Sequence, residues 1–316
     1  MLAENCEEHH NSTAPGTIAC VFNGSARSYG AAEAKNRLIE LFKARGANAT
    51  VLVAEQGVQI PELAKRAIGD GAAILVAAGG DGTVNAVASV IINSQAALGV
   101  LPVGTLNHFA KDVGIPLDLE AAVQNLFTGQ VARVDVGTVN GKIFLNNSSL
   151  GLYPAIVRQR DDLQKKGHAK WTAFAAATMY ALRRYQRLYV RLQTEVGPEV
   201  EEETPFVFVG NNQYRLSGLR LGERYCVNAG DLWVYRAPRA SRLGLLRLAF
   251  EALRGTQDGS ELAVLSVKSL SVGLRKRLVH VARDGEVEKM QGPLNYGILP
   301  QALQVIVPKT LPRQNS

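Results

Sequence analysis

Cysteine is scarce in this chain. Its three copies, Cys6, Cys20 and Cys226, are scattered and odd in number. They form neither a disulfide framework nor a zinc spacing, and they suit a reducing compartment. The five histidines show no ligand spacing either. Aromatic residues make up only 6%, with no basic-aromatic interleaving, so nucleic acid is not an expected partner. No apolar run reaches the roughly 18 residues that a membrane span needs. Linker-like segments, low-complexity stretches and internal repeats are also missing. The first residues carry Glu4, Glu7 and Glu8 with no apolar stretch before Thr17, unlike a signal peptide. Residues 1–16 are expected to be a flexible N-terminus and 310–316 a tail.

What remains is ample for a core. The chain has 316 residues, 47% of them hydrophobic, which fits two domains more comfortably than one. A net charge of +7 favours anionic partners such as nucleotides or acidic membrane surfaces.

Over 17–130, apolar runs alternate with stretches of helical spacing. Strands are predicted over Thr17–Phe22, Thr50–Val53, Ala72–Ala78 and Ala97–Val103, and helices over about Ala31–Ala44, from Pro61, and over about Leu119–Phe127. Such alternation implies a parallel sheet with right-handed crossovers, and ligands gather outside the carboxyl ends of its strands. From Val131 the pattern changes to β-branched strands joined by turns such as Asn140-Gly141 and Asp284-Gly285. Among these, Lys142–Asn147, Thr204–Val209, Val264–Val272, Leu278–Ala282 and Gln304–Pro308 each read as a single strand. The fold class expected is an α/β N-terminal domain (17–130) followed by a C-terminal antiparallel β domain (131–309).

The stretch that organises the chain is Gly79-Gly80-Asp81-Gly82-Thr83-Val84-Asn85. It follows a buried-looking strand and leads into a helix read as opening at Thr83. Glycines let a ligand approach the backbone, and a helix N-terminus favours a phosphate. Asp81 is repulsive there unless it handles a proton or a metal ion. The alternative is a tight turn whose Asp merely caps the helix. Two other strand ends carry small or polar residues: Asn23-Gly24-Ser25-Ala26-Arg27, and Gly104-Thr105-Leu106-Asn107. Three such tips point to a nucleotide crevice.

With these residues in hand, the chain resembles the diacylglycerol kinase catalytic-domain family, which includes bacterial lipid kinases and sphingosine kinases. The resemblance rests on Gly79 to Asn85, Pro102 to Asn107, Asp135-Val136-Gly137, Asn146 to Gly151, and the late Asp284-Gly285-Glu286. It implies a first domain like that of NAD kinases and phosphofructokinases, which binds ATP with Mg2+, a second domain that is an antiparallel β-sandwich, and a lipid substrate. By position, Asn23 to Arg27, Gly79 to Asn85, Thr105 and Asn107 would bind the nucleotide. Asp81 would act at the metal, and Glu286 would accept a proton from the lipid hydroxyl. On sequence alone Glu286 is a polar hairpin residue.

Several positions depart from the family pattern. His108 stands where many members have Asp, with His108 itself or Asp112 as candidate replacements at the substrate side, together with Asp135. The first loop fits only approximately, and Val53-Ala54-Glu55 lacks a usual Thr. A structural Mg2+ pair, Asp-Gly in some bacterial members, appears as Ala229-Gly230, with Asp231 nearby as the remaining candidate ligand. Basic residues and Trp171 or Tyr185 flank an apolar helix expected over about 169–184, and arginines flank another over 243–253. Both suit peripheral contact with an anionic leaflet, and both also suit packing on the β domain, the more common use of an amphipathic helix. The expectation is a lipid kinase, cytoplasmic and peripheral to the inner face of the membrane, and compatible with a homodimer. The alternatives are a soluble-substrate kinase of the NAD kinase type and a nucleotide-binding regulatory protein without turnover.

Overall fold

In the computed structural model of the protein, the described residues are 17–24, 31–152, 154, 187–215, 224–237, 244 and 262–309. Ser25, Ala26, Arg27, both termini and, apart from residue 244, the two helices expected over 169–184 and 243–253 lie outside them. No described helix is long and apolar enough to cross a membrane. The contacts divide the chain into two compact units, Met1–Val136 with Pro300–Ser316, and Gly137–Leu299. The sequence reading placed the change at 130/131 and kept the last strand with the second half.

The first unit alternates strands and helices: β1 (Ile18–Asn23), α1 (Ala31–Lys43), β2 (Thr50–Ala54), α2 (Ile60–Gly69), β3 (Ile74–Gly79), α3 (Asp81–Ile91), β4 (Ala97–Pro102), α4 (His108–Asp112) and α5 (Leu119–Thr128). A short 3-10 turn, Gly57–Gln59, leads into α2, where Pro61 occupies the first turn, a place that needs no N–H donor. Asp118 caps α5 by accepting from Ala121 N–H at 2.9 Å. The strands lie in the order β2-β1-β3-β4 and all pair in parallel. Every residue of β3 and β4 is buried, as expected where helices cover both faces of a parallel sheet. The last strand of the chain, β16 (Leu294–Val307), adds its C-terminal part beside β4, with Val305 opposite Leu98 in parallel. That pairing is why the C-terminal residues belong to the first unit.

The chain leaves this unit along β5 (Gln130–Val139). The second unit contains β6 (Lys142–Phe144), β7 (Asn147–Gly151), β8 (Leu188–Thr194), β9 (Val200–Thr204), β10 (Phe206–Asn211), β11 (Leu232–Arg236), β12 (Ala263–Val267), β13 (Ser269–Leu274), β14 (Leu278–Arg283) and β15 (Glu286–Gln291). One sheet runs β12-β11-β10-β7-β14-β15, and the start of β16 joins β13, β8 and β9 in another. Their pairings are antiparallel. Leu150, Val207 and Val281 from the first sheet share one buried cluster with Val190, Val272 and Leu294 from the second, which makes the unit a β-sandwich. The turns at Asn140-Gly141 and Asp284-Gly285 have positive φ at both residues, the geometry of a two-residue hairpin.

Two predicted strands are each split in the structure. The run 142–147 breaks at Leu145-Asn146, because their N–H groups bond the Asp284 carboxylate instead of a neighbouring strand. The run 264–272 breaks at Lys268, where the chain leaves one sheet for the other and the Glu195 carboxylate takes the N–H groups of Lys268 and Ser269. The predicted strand over 304–308 is the end of a much longer one, and the acidic strand β9 and the strand β15 had no apolar alternation to announce them.

Candidate active site

Within the first unit, the carboxyl ends of β1, β3 and β4 lie side by side, because β1 pairs with β3 and β3 with β4 in register. Asn23, at the end of β1, donates from Nδ2 to Thr83 Oγ1 at 3.2 Å. Helix α3 begins at Asp81, with Gly80 as its N-cap, two residues earlier than the sequence suggested. Gly79 and Gly80 already permit the turn, so no further residues are spent on it. The first helical bond runs from Val84 N–H to Gly80 O at 3.1 Å, which leaves the first N–H groups of the helix without intrahelical acceptors.

The next turn closes against this one. Gly104 approaches Gly80 so closely that an added Cβ would lie 2.3 Å from Gly80 Cα. Asn107 holds the turn: it adopts a left-handed conformation, φ 51°, tolerated by Asn more than by most residues. Its Nδ2 donates to Pro102 O at 3.0 Å and Gly104 O at 2.9 Å. Its Oδ1 is buried without a hydrogen-bond partner, an unusual state for a buried acceptor. Thr105 and His108 are exposed, and Asp112 is half-buried.

Asp81 is half-buried at the first position of α3. It does not cap its own helix. Its Oδ1 accepts from Phe109 N–H at 3.1 Å, so it ties the start of α4 to the glycine turn. Among the described residues the carboxylate's second oxygen meets no hydrogen-bond partner. Asn85 is half-buried on the same helix, whereas Val84 is only 3% exposed and belongs to the core.

The remaining candidates lie elsewhere. Asp135 is 1% exposed and its Oδ1 accepts from Gln301 N–H at 2.8 Å, where β16 passes through a left-handed residue. That bond gives it a structural task in the first unit. Asp231 belongs to the second unit, where Lys268 Nζ lies 2.8 Å from its Oδ1 and 2.8 Å from Gly230 O. The ammonium group therefore already supplies a positive charge at that carboxylate. Glu286 also belongs to the second unit. It is exposed at the first position of β15, immediately after the Asp284-Gly285 turn and opposite Arg283.

Among the described residues no cluster of three or more His, Cys, Asp or Glu side chains could hold a metal ion. This does not conflict with Mg2+ at a nucleotide, since that ion commonly uses one or two carboxylates with phosphate oxygens and water. Asp81, with one oxygen unpartnered among the described residues and beside a cradle that a Cβ would fill, fits that donor set. Sequence reasoning named Asp284 only as a turn and motif residue and missed its task, since its carboxylate accepts three backbone N–H groups; it missed Arg224 altogether, a buried cation with no motif around it.

Two family models match the chain: the diacylglycerol kinase catalytic domain over residues 17–139 and the YegS C-terminal NAD kinase beta sandwich-like domain over 150–307. A Pseudomonas aeruginosa protein named "Probable lipid kinase YegS-like" is 34% identical over 159 residues, which is 49% of this chain and 51% of that protein. The chain thus spans about half the length of that relative. A Staphylococcus saprophyticus protein named diacylglycerol kinase is 26% identical over 193 residues, 57% of this chain and 60% of that one. Among solved structures, a diacylglycerol kinase chain from Bacillus anthracis superposes with a TM-score of 0.69 at 16% identity, covering 95% of this chain and 100% of that chain. A second solved chain from the same strain gives a TM-score of 0.77 at 19% identity, with the same coverage. These superpositions establish a shared fold.

Proposed function

The chain belongs to the diacylglycerol kinase catalytic-domain family, and from that premise we propose that it is an ATP- and Mg2+-dependent lipid kinase. It transfers the γ-phosphate to a hydroxyl of diacylglycerol or a related lipid. The observation that carries the reading is the cradle in the first unit: two glycine turns in contact, open helix N–H groups above them, and a carboxylate with one oxygen unpartnered among the described residues. Phosphoryl transfer depends mainly on positioning and on neutralising charge. Backbone N–H groups of the turn and of α3 bind the phosphate oxygens, and Asn23 braces Thr83 beside them. Asp81 would hold the Mg2+, which supplies charge neutralisation on the phosphates. Glu286, exposed on its hairpin, accepts the proton from the lipid hydroxyl.

Relatives named lipid kinase and diacylglycerol kinase support a lipid acceptor over a soluble one. We assign contact with an anionic leaflet to the basic-flanked apolar segments over 169–184 and 243–253, which the sequence alone reads as helical, and with it a position at the inner membrane face. Incubation with γ-labelled ATP, Mg2+ and a mixed lipid extract should put label into lipid, and mass analysis of the product names the acceptor. Label in NADP instead would favour a soluble-substrate kinase. ATP binding without any transfer would favour a regulatory protein.

A further inference from the structure

The break between β6 and β7 is held from two sides, both within the second unit. On one side stands Asp284. Its Oδ2 accepts from Leu145 N–H at 2.8 Å, and its Oδ1 accepts from Asn146 N–H at 2.8 Å and Asn147 N–H at 3.1 Å. Its own N–H donates to Asn147 O at 2.9 Å. On the other side stands Arg224, only 5% exposed. Its Nη1 donates to Leu145 O at 2.8 Å and Asn211 O at 3.1 Å, and its Nη2 to Asn146 Oδ1 at 3.3 Å. Asn211 Nδ2 adds a bond to Leu145 O at 2.8 Å. The segment 145–147 is therefore gripped along its N–H edge by a carboxylate and along its carbonyl edge by a guanidinium. Such charge-assisted bonds are shorter and stronger than neutral ones, and a buried network rigidifies when its members are satisfied.

The grip has a direction. Asp284 and Gly285, φ 46° and 85°, are the two residues of the hairpin turn, and Glu286 follows directly. Alone, a two-residue hairpin tip with an exposed side chain is among the looser parts of a domain. Here its first residue is bolted by side chain and main chain to a segment that a buried arginine fixes in turn. A lysine in place of Arg224 would keep the charge but lose the planar fork that spans two carbonyls and an amide.

We propose that Arg224 and Asp284 are positioning residues: acting through segment 145–147, they set where the Glu286 carboxylate stands. The inference rests on the reading of Glu286 as the proton acceptor. The test is a double-mutant cycle on the full chain, with ATP, Mg2+ and diacylglycerol in mixed micelles as the probe. Glu286→Gln alone should lower kcat on the order of 10²–10⁴-fold. Arg224→Lys should lower kcat by about 10- to 100-fold with the KM for ATP within about twofold, since small misplacements of a reacting group are that costly. In the Glu286→Gln background, Arg224→Lys should cause no further loss. A merely structural arginine would instead give losses that multiply, and that result overturns the proposal. So would full kcat in Arg224→Lys beside an impaired Glu286→Gln, which leaves the lipid kinase reading intact. Full activity in Glu286→Gln would remove the base assignment and the inference with it. Asp284→Asn, which keeps the shape and loses the charge, is read by the same cycle if Arg224→Lys does not fold. Amide exchange on the unaltered protein gives an independent check. The Leu145, Asn146 and Asn147 amides should exchange only with global unfolding, and exchange at the rate of exposed loops would sink the idea.

Discussion

A Cβ added to Gly104 would stand 2.3 Å from Gly80 Cα and 2.8 Å from Asn107 Oδ1. The two glycines lie just past the ends of neighbouring strands, and their turns touch backbone to backbone. Gly104→Ala cannot be absorbed by a side-chain rotation, because the atoms it meets include main chain. It should destabilise the protein by about 1–3 kcal/mol, as overpacking does, and raise the KM for ATP. Gly80→Ala is a useful contrast, since its Cβ would find Gly104 Cα at an ordinary 3.4 Å and its backbone is extended. Thermal unfolding of both variants should place Gly104→Ala clearly lower.

Asp81 combines two tasks that substitution can separate. The bond from Phe109 N–H at 3.1 Å needs only an acceptor oxygen, whereas a metal needs charge. Asp81→Asn should keep stability close to that of the unaltered protein yet abolish turnover. Asp81→Ala should lose turnover and, in addition, about 1 kcal/mol of stability, as loss of a helix cap does. Denaturant titration and steady-state kinetics on the pair resolve the two. Equal stability in both variants would mean that the cap contributes nothing.

How much of this was legible beforehand follows from what each residue type announces. Gly79 to Asn85 sits between a buried strand and an amphipathic helix, so local pattern alone located the cradle. Asn140-Gly141 and Asp284-Gly285 were legible because positive φ at two successive positions selects such pairs. The destination of the Asp81 carboxylate was not, since Phe109 is 28 residues away and its partner group is a backbone N–H common to nearly every residue. Asp135 looked like a candidate for chemistry and proved to be buried against Gln301. Asp231 read as a candidate metal ligand, and its ion pair with Lys268, far along the chain, left no mark in the local sequence. Arg224 carried no signal at all: its meaning lies in carbonyls brought to it by the break between β6 and β7 and by the end of β10.

Cys20 lies in the middle of β1, wholly buried, and burial pushes its thiol up to about 12. The thiolate is the reactive form, so native Cys20 should resist alkylation at neutral pH while the half-buried Cys226 is modified. Mass mapping after iodoacetamide treatment, with and without denaturant, checks this. Rapid labelling of Cys20 in the native protein would contradict the packing of β1 described above.

The hairpin that carries Glu286 should also respond to acid through Glu288, two residues further along β15. Arg283 donates to Glu288 Oε1 from Nε at 2.6 Å, and Lys142 meets its other oxygen. Burial by itself raises the Glu288 pKa, but the bonds and charges of Lys142 and Arg283 outweigh it, and the net shift is downward from 4.5. A carboxyl whose pKa is lower folded than unfolded binds fewer protons in the folded state. Its contribution is therefore complete above the unfolded value and is lost as pH falls through the folded one. Stability should decline as pH drops below about 4.5, and Glu288→Gln should flatten that part of the profile while lowering stability at neutral pH. The partial exposure of the pair keeps the effect modest, since solvent screens it. Urea midpoints measured across the acid range in both proteins supply the test, and parallel curves would show that Glu288 does not hold the hairpin.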